Sequence, residues 1–302
     1  MRELTIRSNK RNVLYGLLFA GPAIVGFLLF IAGPMAASLA LSLTDYTVFN
    51  TPSFIGLDNY SRMFSGADPF FYKSIGATFL YVCLAVPAFI CFSFMIALLL
   101  NAKIRGLGLF RTIFYLPSIV PVVASAMIWM WIYNPDLGLL NHMLSAIGLP
   151  TSLWIYSETM VIPSIVMMGL WGTGGTMVIF LAGLKGIPEH YYEALEIDGG
   201  NALHKFAFIT IPMMTPTIFF NLVMGFIGAF QVFTEAYILT NGGPNNASLF
   251  YVFYIWREAF QNANMGYASA LAWVLFLIIL TCTALVFRTS KWVYYEGGEA
   301  HR

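Results

Sequence analysis

Charge is what this chain has least of. Asp, Glu, Lys and Arg make up 10% of its 302 residues, against 59% hydrophobic and 17% aromatic. Soluble domains carry roughly one quarter charged residues, so a water-facing globular fold is excluded and a bilayer is the fitting solvent. Cysteine is scarce as well. Cys83, Cys91 and Cys282 all fall in apolar runs, where they suit small apolar packing better than a disulfide or a metal site. No GxxxxGK followed by Ser or Thr occurs, and "GTGGTMVIFLAGLKG" is glycine-rich without that spacing. The chain therefore lacks a phosphate-cradling loop and is not expected to hydrolyse ATP. Its net charge of +1 argues against a nucleic-acid partner, because a polyanion needs a basic surface.

Ionisable groups are also missing from the apolar stretches themselves. Ion-coupled carriers keep such groups at mid-membrane as relays or ion ligands, and an intramembrane hydrolase needs a His cluster or paired carboxylates at that depth. The four His, at 142, 190, 204 and 301, lie outside the predicted spans. Neither class is supported, no catalytic or metal-ligating residue is assigned, and a passive conduit driven from elsewhere remains.

Six charge-free intervals rich in Leu, Ile, Phe, Val and Met are present: residues 12–44, 74–102, 112–135, 159–184, 206–234 and 259–287. Each exceeds the roughly 20 residues that cross a bilayer as a helix. The expected fold is an all-α integral membrane protein, one membrane domain over 1–302 with six spans at about 13–43, 75–101, 112–133, 160–184, 212–235 and 265–287. The first interval is too long for a signal-peptide core, so it reads as an uncleaved helix. Two further intervals, 137–157 and 236–256, carry polar residues and breakers, the second as "TNGGPNN". Both read as surface segments, with "LGLLNHMLSAI" a short interfacial helix.

Orientation follows from Lys and Arg. Arg2, Arg7, Lys10, Arg11, Lys103, Arg105, Arg111, Lys185, Lys205, Arg288, Lys291 and Arg302 fall on one side of a six-span arrangement, and only Arg62, Lys73 and Arg257 on the other. That division places both termini in the cytoplasm, and with them the polar loop over 186–211.

The loop contains "EALEIDGGNALHKFAFITIP". Pro188 suits the first position of a helix and Glu189 its positive end. Gly199 and Gly200 in "DGG" suit a left-handed stop, a second helical stretch starts near Asn201, and "IPMMTP" is expected to bend the chain at Pro212 and Pro216. An amphipathic connector lying along the headgroups would carry such a sequence as well. The spacing, however, is Glu193-Ala194-Leu195, three residues, Gly199, nine residues, Ile209, one residue, Ile211-Pro212. It resembles the EAA loop of the permease subunits of binding-protein-dependent ATP-binding-cassette importers, with Leu195 in place of the second Ala and Ile211 in place of Leu. "FIGLDNY", "FRTIFYLPSIVP", "NPDLGLLN", "LTNGGP" and "GYASALAWVLF" extend the likeness over nearly the whole chain, towards the carbohydrate-uptake branch and its maltose-type first permease subunit.

What the resemblance implies is a type I importer permease fold in a bacterial or archaeal cytoplasmic membrane. The partners it implies are a second permease subunit forming a heterodimer, two ATPase subunits that bind ATP and Mg, and an extracytoplasmic solute-binding protein delivering a sugar or oligosaccharide. This chain itself would bind no cofactor. Glu193, Ala194, Leu195, Asp198 and Gly199 would couple it to the ATPase. A sugar phosphate or a polyamine is the alternative solute. From the residues, Trp171, Gly172 and Gly175 in span four and Asn221, Phe230, Gln231 and Glu235 in span five are candidates for the conduit lining, since a hydroxylated solute needs donors, acceptors and flat aromatic faces. Glycines in a span equally suit helix packing, and Glu235 equally suits snorkelling at the outer mouth.

Overall fold

In hydrocarbon nothing but the chain can satisfy a backbone N–H or C=O, so the apolar intervals fold as helices. The computed structural model describes residues 10–102 and 106–294, with backbone alone at 10–13. Arg2, Arg7, Lys103, Arg105, His301 and Arg302 lie outside the described residues.

Helix α1 (Lys10–Phe27) passes through a π turn, Leu28–Ala32, into α2 (Gly33–Ser42). A short α3 (Asp58–Phe64) precedes α4 (Pro69–Asn101). Next come α5 (Leu107–Tyr115), which tightens into a 3-10 turn at Leu116–Ile119, then α6 (Val122–Ile132) and α7 (Leu139–Ala146). Helices α8 (Val161–Trp171) and α9 (Gly174–Lys185) follow, then α10 (Glu189–Ile197) and α11 (Ala202–Lys205) of the polar loop. A π stretch, Phe206–Thr210, leads into α12 (Ile211–Phe230), and α13 (Thr234–Leu239), α14 (Tyr251–Trp256) and α15 (Met265–Arg288) complete the order.

By length and hydropathy, four helical segments can cross a membrane: Leu14–Ser42, Pro69–Asn101, Ala202–Phe230 and Met265–Arg288. The other two apolar intervals are bent pairs. Leu107–Ile119 meets Val122–Ile132 at 99°, and Val161–Trp171 meets Gly174–Lys185 at 54°. The first bend has a local cause: Pro121 pushes Val120 out of the helical region to φ −70°, ψ 129°, and two prolines in "LPSIVP" remove backbone donors.

"IPMMTP" does not interrupt the helix: Pro212 occupies the first turn of α12, where its missing N–H costs little, Pro216 lies inside α12, and the preceding π stretch carries the helix through from Ala202. One expectation needs correction. The segment 236–256 is not a surface segment. Leu249, Phe250, Tyr251, Phe253 and Tyr254 are all buried, because α14 packs its aromatic side chains inward: Tyr251 meets Phe71, and the Tyr254 hydroxyl donates to Asp68 Oδ2 at 2.5 Å.

The chain divides into two compact units, Met1–Ser65 with Trp256–Val274, and Gly66–Ile255 with Leu275–Arg302. In the first, Asn59 donates to the carbonyls of Ser42 and Thr44, Arg62 lies 4.2 Å over the Tyr267 ring, and buried Glu258 accepts from Asn262 and Asn264. In the second, α4 is the hub against which α8, α9 and α12 pack. Asp68 caps α4 by accepting from the N–H groups of Phe70 and Phe71, a contact worth ~1 kcal/mol. One apolar cluster gathers Tyr81, Val82, Ile165, Phe230 and Phe250; another gathers Phe94, Met177, Phe180, Leu184 and Met214. Lipid gives such helices no hydrophobic drive to associate, so close packing at small residues holds them together. Gly169 against Phe89, and Gly183 against Thr217 and Met214, are contacts of this kind, where a Cβ would come within 3 Å of its neighbour.

Candidate functional site

The polar loop is built from two helical pieces and a rigid turn. Pro188 holds the N-cap of α10 in extended geometry, so the first helical residue is Glu189 rather than the proline, and its carboxylate lies at the positive end of the dipole. The stop is a Schellman turn. Asp198 is the C-cap, Gly199 takes φ +81°, its N–H donates to Glu196 O at 3.0 Å, and the Gly200 N–H donates to Leu195 O at 2.8 Å. Asn201 then starts α11 with a capping box: its side chain accepts from the His204 N–H at 3.0 Å, and His204 Nδ1 accepts from the Asn201 N–H at 3.3 Å.

Two contacts outside the motif set the angle of the loop. Glu196 and Lys205 form an ion pair across the turn; with Glu196 in solvent it contributes at most about 1 kcal/mol. The Tyr192 hydroxyl lies 3.1 Å from that of Thr210, and its ring packs on the cluster around Phe180, so α10 is anchored to the helix bundle by one face. The other face is free: Glu193, Ala194, Asp198 and Gly199 are exposed and Leu195 is half-buried. Ile197, four residues beyond Glu193, is 87% exposed, which puts an apolar side chain beside a carboxylate on the outward surface. Motif spacing does not single out Ile197, Tyr192 or Thr210. The helical interval from Glu193 to Ile197 is the available signal for the first, whereas the Tyr192–Thr210 contact leaves no trace in local composition.

The candidates for the conduit lining separate into three groups. Trp171 ends α8 at 38% exposure with its ring edge-on to Trp129, centroids 6.3 Å apart, and Gly172 and Gly175 are exposed on either side of the break in that segment. Gln231 is the exposed C-cap of α12, and Glu235 is half-buried in the first turn of α13. Asn221 and Phe230 are in the packed interior of this chain: the Asn221 amide donates to Thr217 O at 2.8 Å, and Phe230 meets Phe79 edge-on at 5.2 Å. Gly174 is a close-approach glycine, since a Cβ there would lie 2.6 Å from the Phe114 carbonyl oxygen and 2.9 Å from Tyr115 Cα.

A cavity of about 190 Å³ lies between the end of α5 and the break after α8, its lining including Phe114, Pro117, Leu170, Trp171, Thr173 and Gly174. Non-helical backbone at membrane depth is tolerated only where protein buries it or a water-filled path solvates it. Leu116 and Ile119 at the first bend, and Trp171 and Gly172 at the second, are exposed, while the N–H groups of Val120, Gly172 and Thr173 are bonded to carbonyls three residues back. Proline spacing in "LPSIVP" is the sequence signal for the first bend. Thr173, whose hydroxyl returns to Leu170 O at 2.8 Å, carries none. Among the described residues, no group of three or more His, Cys, Asp and Glu could hold a metal ion.

A family model described as binding-protein-dependent transport system inner membrane component matches residues 63–294. The chain is similar to the probable ABC transporter permease protein YesP of Bacillus subtilis, 44% identical over 97% of this chain and 96% of that protein. It is also similar to the trehalose/maltose transport system permease protein MalF of Thermococcus litoralis, 31% identical over 96% of this chain and 98% of the relative. Among solved structures, a bacterial ABC transporter involved in the import of the acidic polysaccharide alginate matches with a TM-score of 0.80 and 25% identity, over 95% of this chain and 98% of that one.

Proposed function

The chain belongs to the inner membrane components of binding-protein-dependent transport systems, and from that premise we propose that it is one half of a heterodimeric permease importing a sugar or oligosaccharide. It is a multi-pass membrane protein and a transport subunit. ATP and Mg are assigned to two separate ATPase subunits, and solute delivery to an extracytoplasmic binding protein. The observation that carries the coupling role is the outward face of α10, held from behind by the Tyr192 contact and closed by the left-handed Gly199. A helix anchored on its inner face and ended by a rigid turn can pass a partner's movement to the helices behind it, whereas a loose connector would absorb that movement. Sugar relatives supply the solute class, and the exposed aromatic face of Trp171 suits a polyhydroxylated ligand.

Counting each bent pair as one crossing gives six spans, with both termini and the loop on the cytoplasmic side. Single cysteines placed at Asp58, Asp136 and Asn245 should react with an impermeant thiol reagent in intact cells, and one at His190 should not. Labelling at His190 would invert the arrangement.

Trp171 and Gln231 are assigned to the solute path, the first by stacking and the second by amide hydrogen bonds. Trp171→Ala and Gln231→Ala should each raise the half-saturating solute concentration several-fold, on the scale of a lost hydrogen bond or ring contact, with assembly intact. Unchanged uptake kinetics in both variants would remove the two residues from the path. Uptake measured over a panel of oligosaccharides, sugar phosphates and polyamines identifies the solute in the same assay.

A further inference from the structure

The groove between α5 and α9 shares no lining residue with α10 or with the cavity beside the second bend, which neighbours it on the same two helices. Its volume is about 520 Å³, and it is lined by Arg111 and Lys185, by Thr112 and Tyr115, and by apolar side chains including Val178 and Leu181. No carboxylate lines it, and neither cation is paired with one among the described residues. Arg111 donates from one terminal nitrogen to the Leu100 carbonyl at 3.4 Å, while its Nε is buried and has no acceptor among the described residues. A buried donor on a charged group left without an acceptor is costly. The guanidinium lines the groove with no carboxylate beside it, and its charge and donor fork match the paired oxygens of a phosphate.

Position along the chain narrows the ligand. Arg111 is the charge immediately before the apolar interval 112–135, and Lys185 the charge immediately after 159–184. Both cations thus stand at the ends of apolar segments, at the level where headgroup phosphates lie, and the apolar part of the groove continues from them along α9 into the hydrocarbon. A free phosphate would use the cations and leave Val178 and Leu181 uncovered; a lipid covers both. We propose that this groove is a binding site for one anionic phospholipid, with the phosphate on Arg111 and Lys185, the hydroxyls of Thr112 and Tyr115 at its edge, and an acyl chain over Val178 and Leu181. Since Lys185 ends α9 and the chain passes directly into α10, the bound lipid holds the root of the coupling loop against α5.

The test is lipid titration of the full chain, purified with the subunits that accompany it, read by native mass spectrometry with phosphatidylglycerol as probe and phosphatidylethanolamine as the zwitterionic control. The wild type should retain one phosphatidylglycerol that the Arg111→Gln, Lys185→Gln double variant binds at least about tenfold more weakly, the scale set by losing two cations near a membrane surface. Val178→Trp, which keeps both charges and fills the apolar part, should weaken the same lipid, and Arg111→Lys should fall between wild type and double variant. Because Val178→Trp and Arg111→Lys retain the charges, a folding defect in the double variant does not decide the matter. Equal lipid retention in all variants overturns the proposal. Inorganic phosphate binding as tightly as the lipid and indifferent to Val178→Trp assigns the site to a free anion and overturns it too. Cross-linking of Thr112→Cys to a second subunit in the intact assembly would show that protein covers the groove, and would likewise overturn the lipid assignment.

Discussion

Gly199→Val is expected to abolish solute uptake, or to strip the ATPase from the purified assembly, while the chain still reaches the membrane in normal amount. The position is left-handed at φ +81°, and a Cβ there would meet nothing within 4 Å. The penalty is therefore entirely one of backbone conformation, about 1–2 kcal/mol for an ordinary residue and more for a β-branched one. The chain can escape that strain by abandoning the Schellman turn. Doing so frees the carbonyls of Leu195 and Glu196, breaks the alignment of α10 with α11, and shifts Glu193 from its place on the outward face. Insertion of the spans is unaffected because the turn lies outside the apolar intervals. Asn tolerates the left-handed region, so Gly199→Asn should keep a substantial part of the uptake; equal loss in the Asn and Val variants would mean that the turn's backbone geometry is not what matters. Gly200 is constrained differently, since a Cβ there would lie 2.5 Å from Leu195 Cγ.

Glu193→Lys leaves this geometry intact and tests the surface alone. The side chain is exposed on the outward face of α10, and neither the turn nor the Tyr192 anchor uses it. Reversing its charge converts an attraction to any basic group on the ATPase into a repulsion, and like charges placed opposite each other at an interface cost several kcal/mol. ATPase co-purification should drop by at least about tenfold, the equivalent of 1.4 kcal/mol, with chain abundance unchanged. The Ile197 side chain beside it adds an apolar contact, so Ile197→Asp should act in the same direction. Normal co-purification and uptake in Glu193→Lys would make α10 a connector and nothing more.

The turn at Gly199 is the most legible part of the sequence, for a physical reason, although Gly200 does not share its left-handed φ. A glycine pair after an amphipathic turn has few uses other than a left-handed stop, and the φ of Gly199 bears this out. Spans over charge-free intervals are legible because the cost of placing a charge in hydrocarbon leaves its mark on composition. The breaks in the third and fourth intervals are not, because hydropathy averages across a bend: Val120 and Thr173 are as compatible with a straight helix as with a corner until their prolines and glycines are weighed together. Burial of Leu249–Tyr254 is hidden for a similar reason. Aromatic and amide residues beside a breaker run match an interfacial belt in composition, and only the partners Phe71, Thr78 and Asp68, distant in sequence, show that α14 is packed. The path residues divide along the same line. Trp171 and Gln231 end helices and stay exposed, whereas Asn221 is buried with its amide on the Thr217 carbonyl one turn back, and Phe230 meets Phe79, a partner that no local pattern could reveal.

ATP-driven import through this chain is tested most directly by hydrolysis in the reconstituted assembly: this chain, its second permease, the ATPase and the solute-binding protein in proteoliposomes, with hydrolysis and solute entry followed together. A loaded carbohydrate-binding protein should stimulate hydrolysis and drive entry, both should cease without ATP, and Gly199→Val should uncouple them. Solute entry that persists without ATP and follows an ion gradient would contradict the proposed role.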